Sequence, residues 1–208
     1  MELSQLFTIS TGYTFRDAIA RLDRGDVGVV QSGDIASANL AGITRVMFDK
    51  VDHLLRPGDI LLSSRGKFVA RTATPDLLPA VAASSVIVLR PVSADLNSRF
   101  VARFLNSARG QEVLSRLESG SYIKTLRVSD LKTIKVPQPP ITEQQTVMKL
   151  HDNLIEQQKL LNLKNQLLKN IDDNLIAKIQ GDAKRPNNLP KTNSIKCYGR
   201  RRILLVRQ

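Results

Sequence analysis

The sequence predicts an α+β (mixed α/β) domain followed by one long coiled-coil-like α-helix and a disordered basic tail. Short apolar runs separated by Gly, Pro and Asp occupy the first 136 residues, a pattern typical of short strands mixed with helices. Residues 141–180 contain neither Gly nor Pro, and apolar side chains recur there every seven positions. Residues 181–208 are rich in Lys, Arg, Pro and Asn. The predicted divisions are therefore 1–140, 141–180 and 181–208.

Four apolar runs in the first domain predict β-strands, because β-branched and aliphatic residues cluster there between turn residues. The turn Pro57-Gly58-Asp59 precedes the third run, and Pro91 ends the fourth. We expect these strands at residues 27–30, 43–46, 60–62 and 86–89.

Two amphipathic helices are expected after these strands. Apolar residues recur at helical spacing in residues 100–105 and again in residues 113–117. Residues 132–136 then predict one more strand. The proline cluster within residues 137–140 cannot continue a helix or a strand, so it marks the end of the domain.

The long helix carries the clearest periodic signal in the chain. Thr142 and Gln145 fit a capping box, in which each side chain bonds the backbone amide of the other residue, so the helix is expected to begin there. The apolar positions with heptad spacing are Val147, Leu150, Leu154, Leu161, Leu168, Ile171 and Leu175. Polar residues interrupt this stripe, which is therefore less regular than a strict two-stranded coiled coil. The stripe needs a partner helix, unless the helix folds back on its own domain.

The positive charge of the chain is concentrated in the tail. The formal net charge is +12, and residues 181–208 contribute eight Lys and Arg against one acid. Residues 1–180 carry 23 basic and 18 acidic residues, a mildly basic balance that is compatible with a polyanionic partner without requiring one. The cluster Arg200-Arg201-Arg202 either touches phosphate or is a solvated run of terminal charge.

Cysteine usage and hydropathy exclude several classes of protein. Cys197 is the single cysteine, which excludes an internal disulfide and a cysteine-based metal site. No run of 18 apolar residues is present, and the first residues lack the basic-then-apolar pattern of a signal peptide. A soluble cytoplasmic protein with no membrane partner is expected.

Residues able to perform catalysis are sparse. His53 and His151 are the only histidines, and no nucleophile motif lies near either. Asp34 and Asp59 follow turn glycines, which suggests metal-dependent nuclease carboxylates as one alternative. The strand after Asp59 offers no second acid and no lysine, so a turn-capping role is favoured. We therefore expect no enzyme activity, no metal and no cofactor in this chain.

Polar and basic turns are the most informative feature of the first domain. In residues 63–67, glycine lets the backbone approach phosphate, Arg can form two hydrogen bonds with guanine, and Ser and Lys can hold phosphate oxygens. Residues 120–124 repeat this composition with an aromatic residue, and residues 31–34 offer a Gln able to bond adenine. The residues expected to contact DNA are Gln31, Ser32, Ser63, Ser64, Arg65, Lys67, Arg71, Ser121, Tyr122 and Lys124.

Several segments, in a fixed order, carry a family resemblance. The segments are VQSGDI at 30–35, PGDILLSSRG at 57–66 and GSYIKTL at 120–126, followed by IKVP at 134–137 and EQQ at 143–145. Together they resemble the target recognition domain of specificity subunits from type I restriction–modification systems, over roughly residues 5–180. Each motif alone is weak, whereas their order and spacing are specific.

The resemblance implies a DNA target recognition domain in residues 1–140 and a dimerising or spacer helix in residues 141–180. Specificity subunits of this family resemble two such units in one chain, with their helices packed antiparallel. One domain and one helix are present here, so the chain is expected either to pair with itself as a homodimer or to be a truncated product. In a homodimer, two-fold symmetry makes the DNA half-sites inverted copies.

The resemblance also implies the partners. They are double-stranded DNA, adenine methyltransferase subunits and a motor-nuclease restriction subunit. S-adenosylmethionine, ATP and magnesium are expected on those partners and not on this chain. The alternatives are an adaptor that dimerises and recruits partners without specific DNA binding, and a stand-alone nuclease. Neither the target bases nor the spacer length follows from the sequence.

Overall fold

The computed structural model describes residues 1–16, 25–37, 42–93, 96–118 and 124–179. The tail that was predicted to be disordered, residues 181–208, lies outside this range, and so do Ser121 and Tyr122 among the predicted DNA contacts. The chain divides into two compact units between Ile155 and Glu156. Among the described helices, none combines the length and the apolar character that crossing a membrane requires.

The structure confirms a mixed α+β domain followed by one long helix. Its strands are β1 (Phe7–Thr11), β2 (Val27–Val30), β3 (Thr44–Val46), β4 (Ile60–Ser63), β5 (Ala70–Thr72), β6 (Ala80–Ala82) and β7 (Val86–Pro91). Its helices are α1 (Leu3–Leu6), α2 (Ser32–Ala36), α3 (Ser98–Leu105), α4 (Ala108–Arg116), α5 (Val128–Leu131) and α6 (Ile141–Ile179). Short 3-10 turns lie at Val51–His53 and Pro75–Leu77.

The strands form two small sheets. The first sheet has the order β1-β7-β4-β5 and is antiparallel throughout. The second has the order β3-β2-β6, with β2 antiparallel to β3 and parallel to β6. Val30 pairs with Ala82, and Ser63 pairs with Val86. The ends of β2, β4 and β6 and the start of β7 therefore meet around residues 83–85.

Strands β2, β4 and β6 are almost entirely apolar because both of their faces are covered. Every residue of β2, β4 and β6 is buried. In β4, Ile60 and Leu62 pack in one cluster with Phe100 and other side chains of α3 and α4. Leu61 points the other way, into a cluster with residues of β2 and β6. Such two-sided burial produces continuous apolar runs rather than alternation.

The predicted strands and helices are present in the structure except for the one at residues 132–136. That prediction is wrong: Lys135 forms only an isolated bridge to Glu2, flanked by a bond from the Leu3 amide to the Ile134 carbonyl. The pairing stops because α1 begins at Leu3 and turns the N-terminal segment away. Strands β1, β5 and β6 were not predicted, because they are short and rich in Ala, Thr and Ser.

The predicted capping box at the start of the long helix is also wrong. The helix begins at Ile141, and the amides of Glu143 and Gln144 both bond to the carbonyl of Pro140. Thr142 is therefore inside the first turn, where its own carbonyl accepts a hydrogen bond from Thr146. The buried side chain of Gln144 donates to the Pro139 carbonyl instead. The proline cluster, rather than Thr142, fixes where this helix begins.

Gly110 permits the close packing of α4 against the end of α3. A Cβ at this position would lie 2.1 Å from the Phe104 carbonyl oxygen and 2.8 Å from the backbone of Leu105. We expect Gly110→Ala to lower the free energy of unfolding by about 1–3 kcal/mol, because backbone atoms cannot give way without separating the helices. Denaturant unfolding monitored by circular dichroism measures this change.

Gly33→Ala is the matched control for that substitution. Gly33 lies in α2 with open space around its α-carbon, and a Cβ there would meet no atom within 4 Å. The control is expected to unfold at the same denaturant concentration as the wild type or slightly higher, because alanine favours a helix more than glycine does. Equal stability of the two variants would show that α3 and α4 do not pack as described.

Candidate nucleic-acid interface

Ser85 lies where polar segments distant in sequence come together. Its carbonyl accepts hydrogen bonds from the Ser64 amide at 3.0 Å and from the Ser64 hydroxyl at 2.8 Å. The same carbonyl also accepts from the Ser32 hydroxyl, and the Ser85 hydroxyl accepts from the Ser32 amide at 3.2 Å. The turn after β4 and the start of α2 are thus tied to one residue in the connection between β6 and β7.

A third polar segment joins the same assembly. The amide of Leu126 donates to the Ser64 carbonyl at 2.9 Å, and the amide of Gly66 donates to the Lys124 carbonyl at 3.0 Å. Arg65 and Thr125 form an isolated antiparallel bridge. The segments at residues 31–34, 63–67 and 120–124 each contain candidate DNA contacts predicted from the sequence. The structure brings the described parts of these three segments together.

The turn between β4 and β5 has a rigid base and an exposed tip. Ser63 is fully buried, and its hydroxyl donates to the Lys67 carbonyl while accepting from the Val69 amide at 3.1 Å. Gly66 adopts a φ of 73°, a left-handed conformation that favours glycine. The side chains of Arg65 and Lys67 are exposed. Two cationic side chains therefore project from a loop whose backbone is held on both sides.

Two of the predicted contacts face the interior instead of solvent. The hydroxyls of Ser63 and Ser64 are both used in bonds to backbone carbonyls, and both residues are buried. Their observed role is to hold the loop. Contact with phosphate by either hydroxyl stays a prediction that this burial disfavours.

Gln31 and Ser32 begin α2. Gln31 is the N-cap of the helix: its backbone carbonyl accepts from the Asp34 amide at 3.0 Å, and its own amide donates to the Asp34 carboxylate at 2.8 Å. Gln31 is exposed, whereas Ser32 is half-buried against Ser85. The side-chain amide of Gln31 forms no capping hydrogen bond with another described residue, so both its N–H donors and its oxygen suit contact with a base.

Lys124 and Arg71 also have partners within the domain. Lys124 forms an ion pair with Glu118 at 2.8 Å, and 61% of its side chain is exposed. Arg71 lies on β5 and donates from Nε to the Ile35 carbonyl at 2.8 Å, which ties this strand to α2. Arg65 and Lys67 form no ion pair with other described residues, so they are the most available cations of the assembly.

A buried ion pair fixes the opposite end of β4. Asp59 is fully buried, and its carboxylate accepts from Arg90 Nε at 3.0 Å, from Arg90 Nη2 at 2.7 Å and from the Arg56 amide at 2.8 Å. The hydrogen bond from Arg90 to Asp59 raises the pKa of the arginine. Arg90 also bonds the Leu54 carbonyl at 3.0 Å. Asp59 is thus a structural anchor and is not exposed to a metal ion.

Sequence reasoning missed Ser85 and Arg90. Nothing in a single sequence distinguishes Ser85 from other turn serines, because its importance comes from two long-range contacts. Arg90 was not singled out, although an arginine at the end of a buried aliphatic run is a signal for a carboxylate partner. Among the described residues, no three His, Cys, Asp or Glu side chains are grouped closely enough to hold a metal ion.

The apolar stripe of α6 is exposed in this chain. Exposure of its heptad side chains ranges from 44% to 61%, and no described residue covers them. These side chains are Val147, Leu150, Leu154, Leu161, Leu168, Ile171 and Leu175. Met148, on another face of the first turns, is buried against the domain.

The molecule thus combines an α+β domain, in which three polar segments meet near Ser85, with a long helix that carries an exposed apolar stripe. The chain belongs to the family of type I restriction modification DNA specificity domains, whose family model matches residues 1–170. No curated protein is significantly similar in sequence to this chain.

Solved structures share this fold. The S subunit of a type I restriction-modification system from M. genitalium is 19% identical, with a TM-score of 0.55 over 75% of this chain and 38% of that chain. The HsdS subunit from Thermoanaerobacter tengcongensis is 20% identical, with a TM-score of 0.55 over 76% and 37%. A chain from a structural study of complex assembly and conformational transition of the type I R-M system is 19% identical, with a TM-score of 0.59 over 83% and 41%. The chain thus spans about two fifths of the length of these proteins.

Proposed function

We propose that this chain is a sequence-specific DNA-binding subunit of a type I restriction–modification complex, without catalysis of its own. The observation that carries the proposal is the convergence of three polar segments around Ser85, with Arg65 and Lys67 exposed at the tip of a braced loop. A rigid backbone with long cationic side chains suits DNA, because the loop keeps its shape while the side chains adapt to base edges and phosphates.

Arg65 is the residue best placed to contact a base. Its backbone is fixed by the bridge to Thr125, its side chain is exposed, and a guanidinium can bond guanine with two hydrogen bonds in the major groove. The ammonium group of Lys67 is a point charge without the two-donor geometry of a guanidinium, so it suits a phosphate oxygen.

Arg65→Ala should therefore weaken binding to the preferred sequence by about 1–3 kcal/mol and relax the preference at one base pair, while leaving binding to unrelated DNA largely intact. Lys67→Ala should weaken binding to both kinds of DNA by a similar factor and lower the dependence on salt. Fluorescence anisotropy on the duplex selected by the wild type and on a scrambled duplex measures both effects. Unchanged affinity of Arg65→Ala for both duplexes would remove Arg65 from the interface.

The proposed working form is a homodimer through α6. An exposed apolar stripe of this length on a helix of 39 residues, about 58 Å long, favours pairing with a second copy. A symmetric pair of helices would hold two recognition domains and direct them to two inverted half-sites separated by unspecified bases.

The proposed partners are adenine methyltransferase subunits and a motor-nuclease restriction subunit, with S-adenosylmethionine, ATP and magnesium on those subunits. Family membership supports this assignment, and the exposed surface of α6 offers room for contacts besides the dimer. A methyltransferase subunit that co-purifies with the wild type but not with a chain ending at Ile155, which keeps the compact unit intact, would support docking on the helix.

An adaptor that dimerises and recruits partners without specific DNA binding is the second candidate. The internal bonds of Ser64, Arg71 and Lys124 favour it, because they occupy donors that would otherwise contact DNA. Dimerisation with equal and weak affinity for every duplex at low salt would support the adaptor over the specificity subunit.

A further inference from the structure

A second group of basic side chains lies in a groove between β5, α3 and the first turns of α6. The groove has a volume of about 460 Å³ and lies within the unit Met1–Ile155. Arg71, Arg99, Arg103 and His151 all line it. Arg99 and Arg103 belong to α3 and His151 belongs to α6. None of these three residues is among the candidate DNA contacts of the loops.

Arg103 is the available cation of this groove. Arg99 is paired with Asp152, and Arg71 is bonded to the Ile35 carbonyl. Arg103 is exposed and forms no hydrogen bond or ion pair with any other residue that the structure describes.

His151 lies half-buried beside Arg103 in the same groove. Burial lowers the pKa of His151, the positive charges of Arg103 and Arg99 lower it further, and Asp152 opposes them. Asp76 on the 3-10 turn and Arg71 on β5 complete the charged groups that line the groove. The imidazole is therefore neutral at neutral pH, in a place where a bound anion would favour its protonated form.

We propose that this groove binds a phosphate group of the DNA backbone through Arg103 and His151. The proposal rests on the proposed DNA-binding function and adds a sequence-independent contact at the junction of domain and helix. A guanidinium with all its donors free and an imidazole able to become a second donor form a suitable pair for a phosphate oxygen.

The position of the groove favours DNA over an acidic protein segment. It is lined by β5, the edge strand that follows directly on the loop of Arg65 and Lys67. Arg71 lies four residues after Lys67, so at most about 14 Å of chain separates their α-carbons. One DNA strand covers that distance in a few nucleotides, because it rises about 3.4 Å per nucleotide. The groove is therefore within reach of a strand that is held by the loop.

Phosphate binding should be coupled to a proton. The anion raises the pKa of His151, so binding takes up a proton when the pH lies above the lowered pKa of the free chain. Affinity for DNA is then expected to rise as the pH falls from about 7.5 towards that pKa and to gain nothing further below it. His151→Gln should abolish this part of the pH dependence.

The test measures DNA affinity and His151 together in the full chain. Arg103→Ala is expected to weaken binding to the preferred and to a scrambled duplex equally, by a factor on the order of five to ten at low salt, and to reduce the salt slope by about one. Arg109→Ala, which removes one exposed arginine of α4 outside the groove, is the control and should bind as the wild type does.

Nuclear magnetic resonance measures the change in the pKa of His151 on DNA binding, which a general loss of positive charge would not reproduce. The chain has two histidines, so the His151 imidazole signals are assigned by the His151→Gln variant, and those of His53 serve as a reference. Titration with the scrambled duplex should raise the pKa of His151 in the wild type but not in Arg103→Ala. Titration with poly-L-glutamate tests an acidic protein as the source of the anion.

Three results would overturn the proposal. In the first, Arg103→Ala binds DNA as tightly as Arg109→Ala does, while Arg65→Ala still loses its sequence preference. This result would contradict the groove site and leave the proposed function standing. A His151 signal that responds to poly-L-glutamate and not to the duplex would assign the groove to an acidic protein partner. Absence of wild-type binding to any duplex would contradict the proposed function together with the site.

Discussion

Replacing Leu161 and Leu168 together with glutamate is expected to convert a dimer of this chain into monomers. Both side chains lie in the middle of the apolar stripe of α6 and are about half exposed in the single chain. In a dimer, four leucines would leave an apolar interface and four charges would enter it. At about 1.5–3 kcal/mol for each buried leucine, the dissociation constant of the dimer should rise by at least about a thousandfold.

Asn162→Glu with Asn170→Glu is the matched control, because it adds the same charge at exposed polar positions of the same helix. Analytical ultracentrifugation over a range of protein concentrations measures the mass of both variants. The leucine variant should sediment as a monomer and the control as a dimer, and both should retain the helix content of the wild type. A wild-type chain that is already monomeric at every concentration would exclude the homodimer.

Loss of the dimer should also change DNA recognition. Each domain keeps its own loop, so the monomeric variant should still bind a half-site weakly. The full inverted site should lose the additional affinity that comes from binding both half-sites at once, a factor of about 10² to 10⁴. Gel shifts on a duplex with one half-site and on a duplex with two separate these contributions.

Asp59→Ala should have the largest effect on stability. It would leave the Arg90 guanidinium without its carboxylate inside the domain and would remove the acceptor of the Arg56 amide. Removing one partner of a buried pair typically lowers the free energy of unfolding by about 3–5 kcal/mol. That is a large part of the total stability of an ordinary domain, so the variant should unfold at a much lower urea concentration.

The double variant Asp59→Ala with Arg90→Met distinguishes this mechanism from a simple packing defect. Once the unpaired charge is gone, much of the lost stability should return, because a buried pair replaced by apolar residues is often tolerated. Asp49→Ala removes an exposed carboxylate with a surface lysine partner and should unfold as the wild type does. A double variant that is less stable than Asp59→Ala would show that the ion pair is not the reason for the loss.

The sequence predicts the strands and helices that have a strong local pattern of apolar residues. It does not predict features that depend on contacts between residues distant in the chain. The runs at 60–62 and 86–89 are buried on both faces, so each was recognisable as a strand from its own composition. Residues 132–136 contain three β-branched residues, Thr133, Ile134 and Val136, which favour a strand, but their partner is the first few residues of the chain, and α1 cuts that pairing short. The start of α6 depends on the carbonyl of Pro140, which no side-chain motif shows.

The candidate site was predictable in part for the same reason. Arg65, Lys67 and Gln31 were found because turns with exposed polar side chains are visible in the sequence. Their convergence was not, since it depends on the parallel pairing of β2 with β6 and on the short connection at residues 83–85. Ser63 and Ser64 have the residue type of phosphate ligands, and only the structure shows that their hydroxyls are used inside the fold.

The central claim is that two copies of this chain direct adenine methylation to an inverted, split sequence. Its most direct test is to co-express the chain with a type I adenine methyltransferase subunit from the same host and to map methylated adenines across the DNA. A new motif made of two inverted half-sites separated by a fixed number of unspecified bases is the predicted result, and Arg65→Ala should alter or abolish it. Co-purification of the two proteins with no methylated motif, or with one that has a single recognised half, would contradict the account.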